Sequence, residues 1–233
     1  MGAKNKIKEM LRNYSLLVNI LSIMYNLRLY FSLWKYRGNN TIDISGSFVS
    51  NTKFRISGTK NEIIIGRMAK LKNCTITILG NNNKIKIGGG RTIINNVSFY
   101  SEDHNNHIII GEHFTMEGGH IASTEGENIT IGNDCMFSGD IEIRNGDSHS
   151  IIKEGTQKRT NWAKSVIIGN HVWLAAHVRV LKGSIIPPNS IVGNSSVVLG
   201  KLTSPNSIYV GNPAKLVKDQ INWDRDRYKF VKK

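Results

Sequence analysis

Between Ile168 and Val198 the chain reads IGNHVWLAAHVRVLKGSIIPPNSIVGNSSVV. Aliphatic residues stand at Ile168, Leu174, Val180, Ile186, Val192 and Val198, one at every sixth position. Val172, Val178, Ser184, Ser190 and Ser196 keep a second register four places after these. Self-similarity at a fixed short period marks a stacked repeat. Each short strand turns one aliphatic side chain inward, and Gly and Asn tolerate the backbone angles of the corner that follows. Three such strands make a triangular coil of about eighteen residues, and stacked coils pair through parallel ladders around one continuous core. The period predicts an all-β chain folded as a parallel β-helix, without fixing its hand.

Aliphatic-glycine pairs recur at Ile65-Gly66, Ile87-Gly88, Ile110-Gly111, Ile131-Gly132, Ile168-Gly169, Val192-Gly193 and Val210-Gly211, so the earlier chain follows a looser form of the same design. The reading is of three parts: residues 1–40 as an N-terminal helical segment, 41–211 as the β-helix, and 212–233 as a C-terminal extension. From Lys8 to Leu27, polar residues Lys8, Arg12, Ser15, Asn19, Ser22 and Asn26 recur at steps of three or four beside Leu16, Leu17, Val18, Ile20, Leu21 and Met24. This is an amphipathic helix with a wide apolar face. Polar residues interrupt it too often for a membrane span, and no small-residue cleavage site follows it. The apolar face either packs on the main domain or on other subunits, or makes peripheral membrane contact with Lys4, Lys6, Lys8 and Arg12 near anionic headgroups.

The formal charge of +14, from 31 Lys and Arg against 17 Asp and Glu, prefers anionic company. The cations are spread along the chain without a helix-turn-helix, zinc-finger or RNP-like pattern, so no nucleic acid partner is expected. Cys74 and Cys135 are too few for a disulfide framework and lack metal-ligand spacing. They read as small buried hydrophobes in a reducing cytoplasm.

The longest break in the late repeat lies between Ile143 and Ile168, twenty-five residues in place of eighteen, an expected excursion of about seven residues near 150–164. Loops projecting from a rigid repeat are where such scaffolds put binding surfaces. His149 opens this excursion, and a neutral imidazole suits the removal of a hydroxyl proton near neutral pH. Trp173, twenty-four positions later, is expected to return close to His149. It either covers the coil exterior or lends its indole N–H or ring to an acyl site. Asp147, two residues before His149, shares its face if the segment is a strand and would then orient the imidazole. Arg144 and Lys158 are candidates to attract an acidic acceptor, or simply solvated charges.

The stretches Glu142-Ile143-Arg144-Asn145, Asp147-Ser148-His149, Val166-Ile167-Ile168-Gly169-Asn170-His171-Val172-Trp173-Leu174, Leu181-Lys182-Gly183 and Gly211-Asn212-Pro213-Ala214-Lys215 resemble the hexapeptide-repeat acyltransferases, and within them the bacterial polysialic acid O-acetyltransferases of capsule biosynthesis. The resemblance is strongest from about Ile131 to Trp223. It implies a left-handed parallel β-helix, a homotrimer with acetyl-CoA in grooves between subunits, a catalytic His149 and an essential Trp173. It also implies Ala175, Ala176 and Asn194 as coenzyme-groove residues, with Lys201 and Lys215 toward the coenzyme phosphates. Where many relatives carry a threonine-lysine pair after the last coil, this chain reads Leu199-Gly200-Lys201. The implied activity is O-acetylation of a sugar hydroxyl on a bacterial surface polysaccharide, such as a sialic-acid-containing capsule. The location read from the cysteines is cytoplasmic, at the inner face of the membrane if the N-terminal helix makes its peripheral contact.

An N-acetyltransferase of a nucleotide-linked amino sugar would use the same fold and base. A γ-type carbonic anhydrase would need histidine-bound zinc; His104, His107, His113 and His120 show no ligand arrangement, and no metal is expected. A noncatalytic β-helix would favour regular flat faces, which the break beside His149 interrupts.

Overall fold

The structure, a computed structural model, describes residues 3–227, with side chains from Tyr14 onward. Helix α1 (Ala3–Tyr25) and helix α2 (Leu27–Leu33) precede a solenoid whose first strand is Thr41–Asp43. Every coil contributes one strand to each of three sheets. The first sheet runs from Thr41–Asp43 to Ile185–Ile186, the second from Phe48–Ser50 to Ile208–Val210, and the third from Lys53–Ser57 to Val197–Val198. All ladders within the solenoid are parallel. The fold is a left-handed parallel β-helix of about seven turns.

The six-residue period is the inward register. Ile168, Leu174, Val180, Ile186, Val192 and Val198 are all buried, as are Val172, Val178, Ser184, Ser190 and Ser196. In this late part Trp173 pairs with Ile191 and Arg179 with Val197, so one coil spans three of the six-residue units. Earlier coils are longer by most of a further unit, as the pairing of Glu62 with Lys84 and of Lys84 with His107 shows. The added length sits in third-sheet strands such as Lys53–Ser57 and Val97–Glu102, where the late coils have strands as short as Arg179–Val180. The turns after these strands are tight. At Gly80, with φ of +136°, an added Cβ would lie 1.8 Å from the Asp103 carbonyl oxygen.

The abundance of asparagine has two structural causes. Asn51, Asn73 and Asn96 turn one corner with positive φ and bond side chain to side chain between coils at 2.8 and 3.2 Å. Buried Asn61, Asn83 and Asn106 form a second stack at another corner. There the Asn83 N–H donates to Asn61 Oδ1 and the Asn106 N–H to Asn83 Oδ1, each at 2.9 Å. A buried amide is tolerated only when its groups are paired, and the coil above supplies the partner. Cys74 and Cys135 are free and buried, and burial pushes the Cys135 thiol up to about 12.

The N-terminal helices turn their polar stripe inward. The Ser22 hydroxyl donates to the Ser47 carbonyl at 2.7 Å, and Asn26 donates to the same carbonyl at 2.8 Å while accepting from the Val49 N–H. Arg67 donates to Asn19 Oδ1 and to the Ser15 carbonyl. Val18 and Leu33 are buried, but Leu16, Leu17, Ile20, Leu21 and Met24 are exposed. The expectation that the apolar face packs on the main domain is therefore corrected. The first coil offers unpaired backbone groups at its open end, and the amides and hydroxyls of the helix satisfy them. The side chains of Lys4, Lys6, Lys8 and Arg12 lie outside the described residues.

At the far end Lys215–Lys218 pairs antiparallel with Ile208–Val210. The chain then runs back along the corner between the first and second sheets. The Ile221 N–H donates to the Asn206 carbonyl, Trp223 stacks on His171 at 4.0 Å, and Arg225 reaches the His113 and Cys135 carbonyls.

Candidate active site

Ile143 pairs with Val180, a step about twice that of the regular late coil from Arg179 to Val197. The excursion is therefore as long as a coil itself, well beyond the short loop expected. The smaller expectation compared Ile143, on the third sheet, with Ile168, on the first. The excursion leaves the third sheet after Arg144 and returns to the first at Val166. Its outer half is a short hairpin in which Ile152 bridges Arg159 antiparallel, and the Lys153 N–H donates to the Lys158 carbonyl at 2.9 Å. Lys158 is exposed on this hairpin, and Ile151, Ile152 and Trp162 present apolar surface around it.

Asn161, buried at the base, holds the excursion together. Its Nδ2 donates to the Asp147 carboxylate at 2.8 Å and to the His149 carbonyl at 2.7 Å, and its Oδ1 accepts from the Ile151 N–H at 2.7 Å. Lys182 closes an ion pair on Asp147. That contact first, and the Asn161 amide with it, holds the Asp147 carboxyl below the usual carboxylate range. Glu125 and Glu127 anchor the other limb. Glu125 accepts from Arg159 at 2.5 Å and from the Ala163 N–H at 2.9 Å, and Glu127 accepts from the Ser165 N–H at 3.0 Å and from its hydroxyl. Sequence reasoning missed all three of these residues. The one available signal was the acidic pair Glu125 and Glu127 in a chain of strong positive charge.

His149 is exposed at the start of this rigidly tied loop. Asp147 does not orient its imidazole: Ser148 has a φ of +62°, the His149 N–H donates to the Asp147 carbonyl, and the carboxylate is engaged by Lys182 and Asn161. A turn replaces the strand on which a shared face would depend. Arg144 pairs with Glu142 on the third sheet and, with Tyr100, Glu102, Thr124 and Ser148, lines a small cleft next to His149. On the neighbouring strand His120 lies half-buried. Burial, with Arg144 nearby, pulls its imidazole below the ordinary value.

Trp173 does not return to His149 within the protomer. It lies on the second sheet between Met136 and Ile191, 6.1 Å from Trp223. Among the described residues its indole N–H has no hydrogen-bond partner, and no hydrogen bond or ring contact joins it to His149. The corner after Trp173, between the second and third sheets, stacks Gly139, Ala175-Ala176 and Gly193-Asn194 in successive coils. The Ala175 N–H donates to the Val192 carbonyl, the Ser195 N–H to the Ala176 carbonyl and the His177 N–H to the Gly139 carbonyl, which aligns the three levels. Lys215 is exposed at the second-sheet edge, and Lys201 bridges Ile185 on the first sheet. The predicted residues thus divide between two corners: His149, Asp147 and Lys158 at the excursion, and Ala175, Ala176 and Asn194 at the corner after Trp173.

His104, His107, His113 and His120 are distributed over different corners and sheets. Among the described residues no group of three or more His, Cys, Asp or Glu side chains is arranged to hold a metal.

The chain is 38% identical over 192 residues to a polysialic acid O-acetyltransferase of Neisseria meningitidis, covering 82% of this chain and 88% of that protein. The chain belongs to the polysialic acid O-acetyltransferase family. A second member, from Escherichia coli O1:K1, is 36% identical over 118 residues, 51% of this chain and 38% of that protein. The solved structure of the polysialic acid O-acetyltransferase OatWY superposes with a TM-score of 0.75 at 36% identity, covering 83% of this chain and 91% of that one. The polysialic-acid-specific acetyltransferase NeuO superposes at 0.57 with 25% identity, covering 84% and 93%. No family model matches the chain.

Proposed function

We propose that this chain is an acetyl-CoA-dependent O-acetyltransferase that modifies hydroxyls of a sialic-acid-containing surface polysaccharide, acting as a homotrimer in the cytoplasm. The observation that carries the reading is the 38% identity spanning 88% of the Neisseria enzyme. The excursion fits it: a loop tied by Asn161, Glu125 and Glu127 presents one imidazole beside a cleft that Arg144 lines.

In the reaction, the acceptor hydroxyl attacks the thioester carbonyl while His149 removes its proton. A C–O bond forms and the carbonyl π pair moves to oxygen. Collapse of that oxyanion breaks the C–S bond, and the protonated imidazole returns its proton to the departing thiolate. The unpartnered Trp173 N–H is suited to the oxyanion or to walling the acyl pocket. Ala175, Ala176 and Asn194 form the groove for the coenzyme, with Lys201 and Lys215 toward its phosphates. Arg144 and Lys158 attract the carboxylates of the acceptor. His149 and Trp173 stand apart in one protomer, so a working site takes His149 from one subunit and Trp173 from its neighbour.

Labelled acetyl-CoA incubated with sialylated glycans, neutral glycans and amino sugars tests the reading. Label is expected as an ester on sialylated acceptors. Label found only as an amide on amino sugars would overturn it. Replacement of His149 by Ala should leave folding intact and lower turnover by about 10²–10⁴-fold.

A further inference from the structure

Helix α1 is inside-out relative to a helix packed on a soluble domain. Ser15, Asn19, Ser22 and Asn26 face the solenoid, and the opposite arc exposes Leu16, Leu17, Ile20, Leu21 and Met24. Helix α2 continues this surface with Phe31, followed by Trp34, each 75% exposed. Soluble surfaces rarely leave so contiguous an apolar patch without a partner. Between the helices and the first coil opens a groove of about 540 Å³, lined by Ile23, Leu27, Phe31 and Trp34 with Arg37 at its rim.

We propose that this surface docks in the plane of an anionic lipid bilayer. The argument is charge complementarity. The first forty residues carry seven basic residues, Lys4, Lys6, Lys8, Arg12, Arg28, Lys35 and Arg37, against the single acid Glu9. A second copy would bring the same positive charges against these, whereas acidic headgroups neutralise them. Exposed Tyr14, Tyr25 and Trp34 combine an apolar ring with a polar atom, the chemistry of the headgroup boundary. Among the described residues no single helix is long and apolar enough to cross a membrane, and the segment bends by 69° between Tyr25 and Leu27. The pair taken together has the length and composition of a broken span, but its polar stripe is bonded to the solenoid through Ser15, Asn19, Ser22 and Asn26, which favours a one-sided contact in the interface plane. Ser22, Asn26 and buried Leu33 fix it to the end of the solenoid, so docking would hold the first coil against the membrane.

The full chain is floated with vesicles of phosphatidylcholine alone and with vesicles that mix phosphatidylcholine and phosphatidylglycerol, alongside the double variant Leu17→Glu, Phe31→Glu. Both sites are exposed, so folding is retained. Flotation with the anionic vesicles is expected to exceed that with neutral ones by about tenfold and to fall with added salt. The double variant should lose about tenfold or more of it, with oligomeric mass and acetyl transfer unchanged. Failure of the unmodified chain to float, or equal flotation of the variant, overturns the proposal. A changed oligomeric mass in the variant overturns it in favour of contact between copies.

Discussion

At the scale of single residues, Asn161 ties together the excursion on which the proposed base His149 stands. One amide joins the Asp147 carboxylate, the His149 carbonyl and the Ile151 N–H. Asn161→Ala leaves those groups without their partner and frees the backbone that carries the imidazole. Because small displacements of a catalytic group are costly, kcat is expected to fall about 10–100-fold. Amide exchange should rise across residues 147–163. A folded Asn161→Ala enzyme with unchanged kcat would remove Asn161 from its positioning role. The place of His149 at the start of the excursion was legible in the sequence, because a break in a strict period points to the residue that opens it. Asn161 was not, since among many asparagines nothing local distinguishes one whose partners lie 10 to 14 residues away.

At the scale of elements, the six-residue period located the inward positions of the late coils, and the resemblance supplied the hand. The period could not deliver the length of the excursion, because an aliphatic residue looks the same whether its strand belongs to the first sheet or the third. Ile143 and Ile168 were matched across sheets for that reason, and Trp173 falls on the second sheet, whereas the excursion that carries His149 leaves the third. The C-terminal strap was equally illegible. It is held by single contacts rather than by a repeat: Asp134 accepts from His171 at 2.7 Å and from Arg225 at 3.1 Å, and the Trp223 indole donates to the His171 carbonyl at 2.9 Å. Burial alone would push the Asp134 carboxyl up, but these hydrogen bonds hold it below its ordinary 3.8. A depressed folded value means that the contribution is fully present above 3.8 and is lost as pH falls through the lower folded value. Lowering pH from about 5 to about 2 should therefore reduce amide protection, measured against the intrinsic rate at each pH, in residues 219–227 ahead of the solenoid. The carboxylate side chain is 46% exposed, so the effect is local rather than a large shift in midpoint. Strap exchange that tracks the solenoid throughout would contradict this anchoring.

At the scale of the whole molecule, coils that each bury their aliphatic residues against two neighbours make one column of core. Phe114 and Phe137, buried in successive coils, meet edge to face at 4.9 Å and 84° near its middle. Phe137→Ala is expected to cost about 3–5 kcal/mol in denaturant unfolding, and a loss below about 1 kcal/mol would mean that the column collapses around the gap. The column also bears on the proposed sharing of one site between subunits. The excursion that carries His149 leaves the third sheet, whereas Trp173 lies on the second. Three prisms side by side can set one edge against the next. Subunits carrying His149→Ala and subunits carrying Trp173→Ala, each nearly inactive alone, should then complement when unfolded together and refolded as mixed trimers. With random assembly, about one interface in four pairs an intact histidine with an intact tryptophan, so recovery of about a quarter of normal turnover is expected. Mixed trimers that form, verified by mass, and yet stay inactive would place both residues in the same subunit's site and refute the shared arrangement.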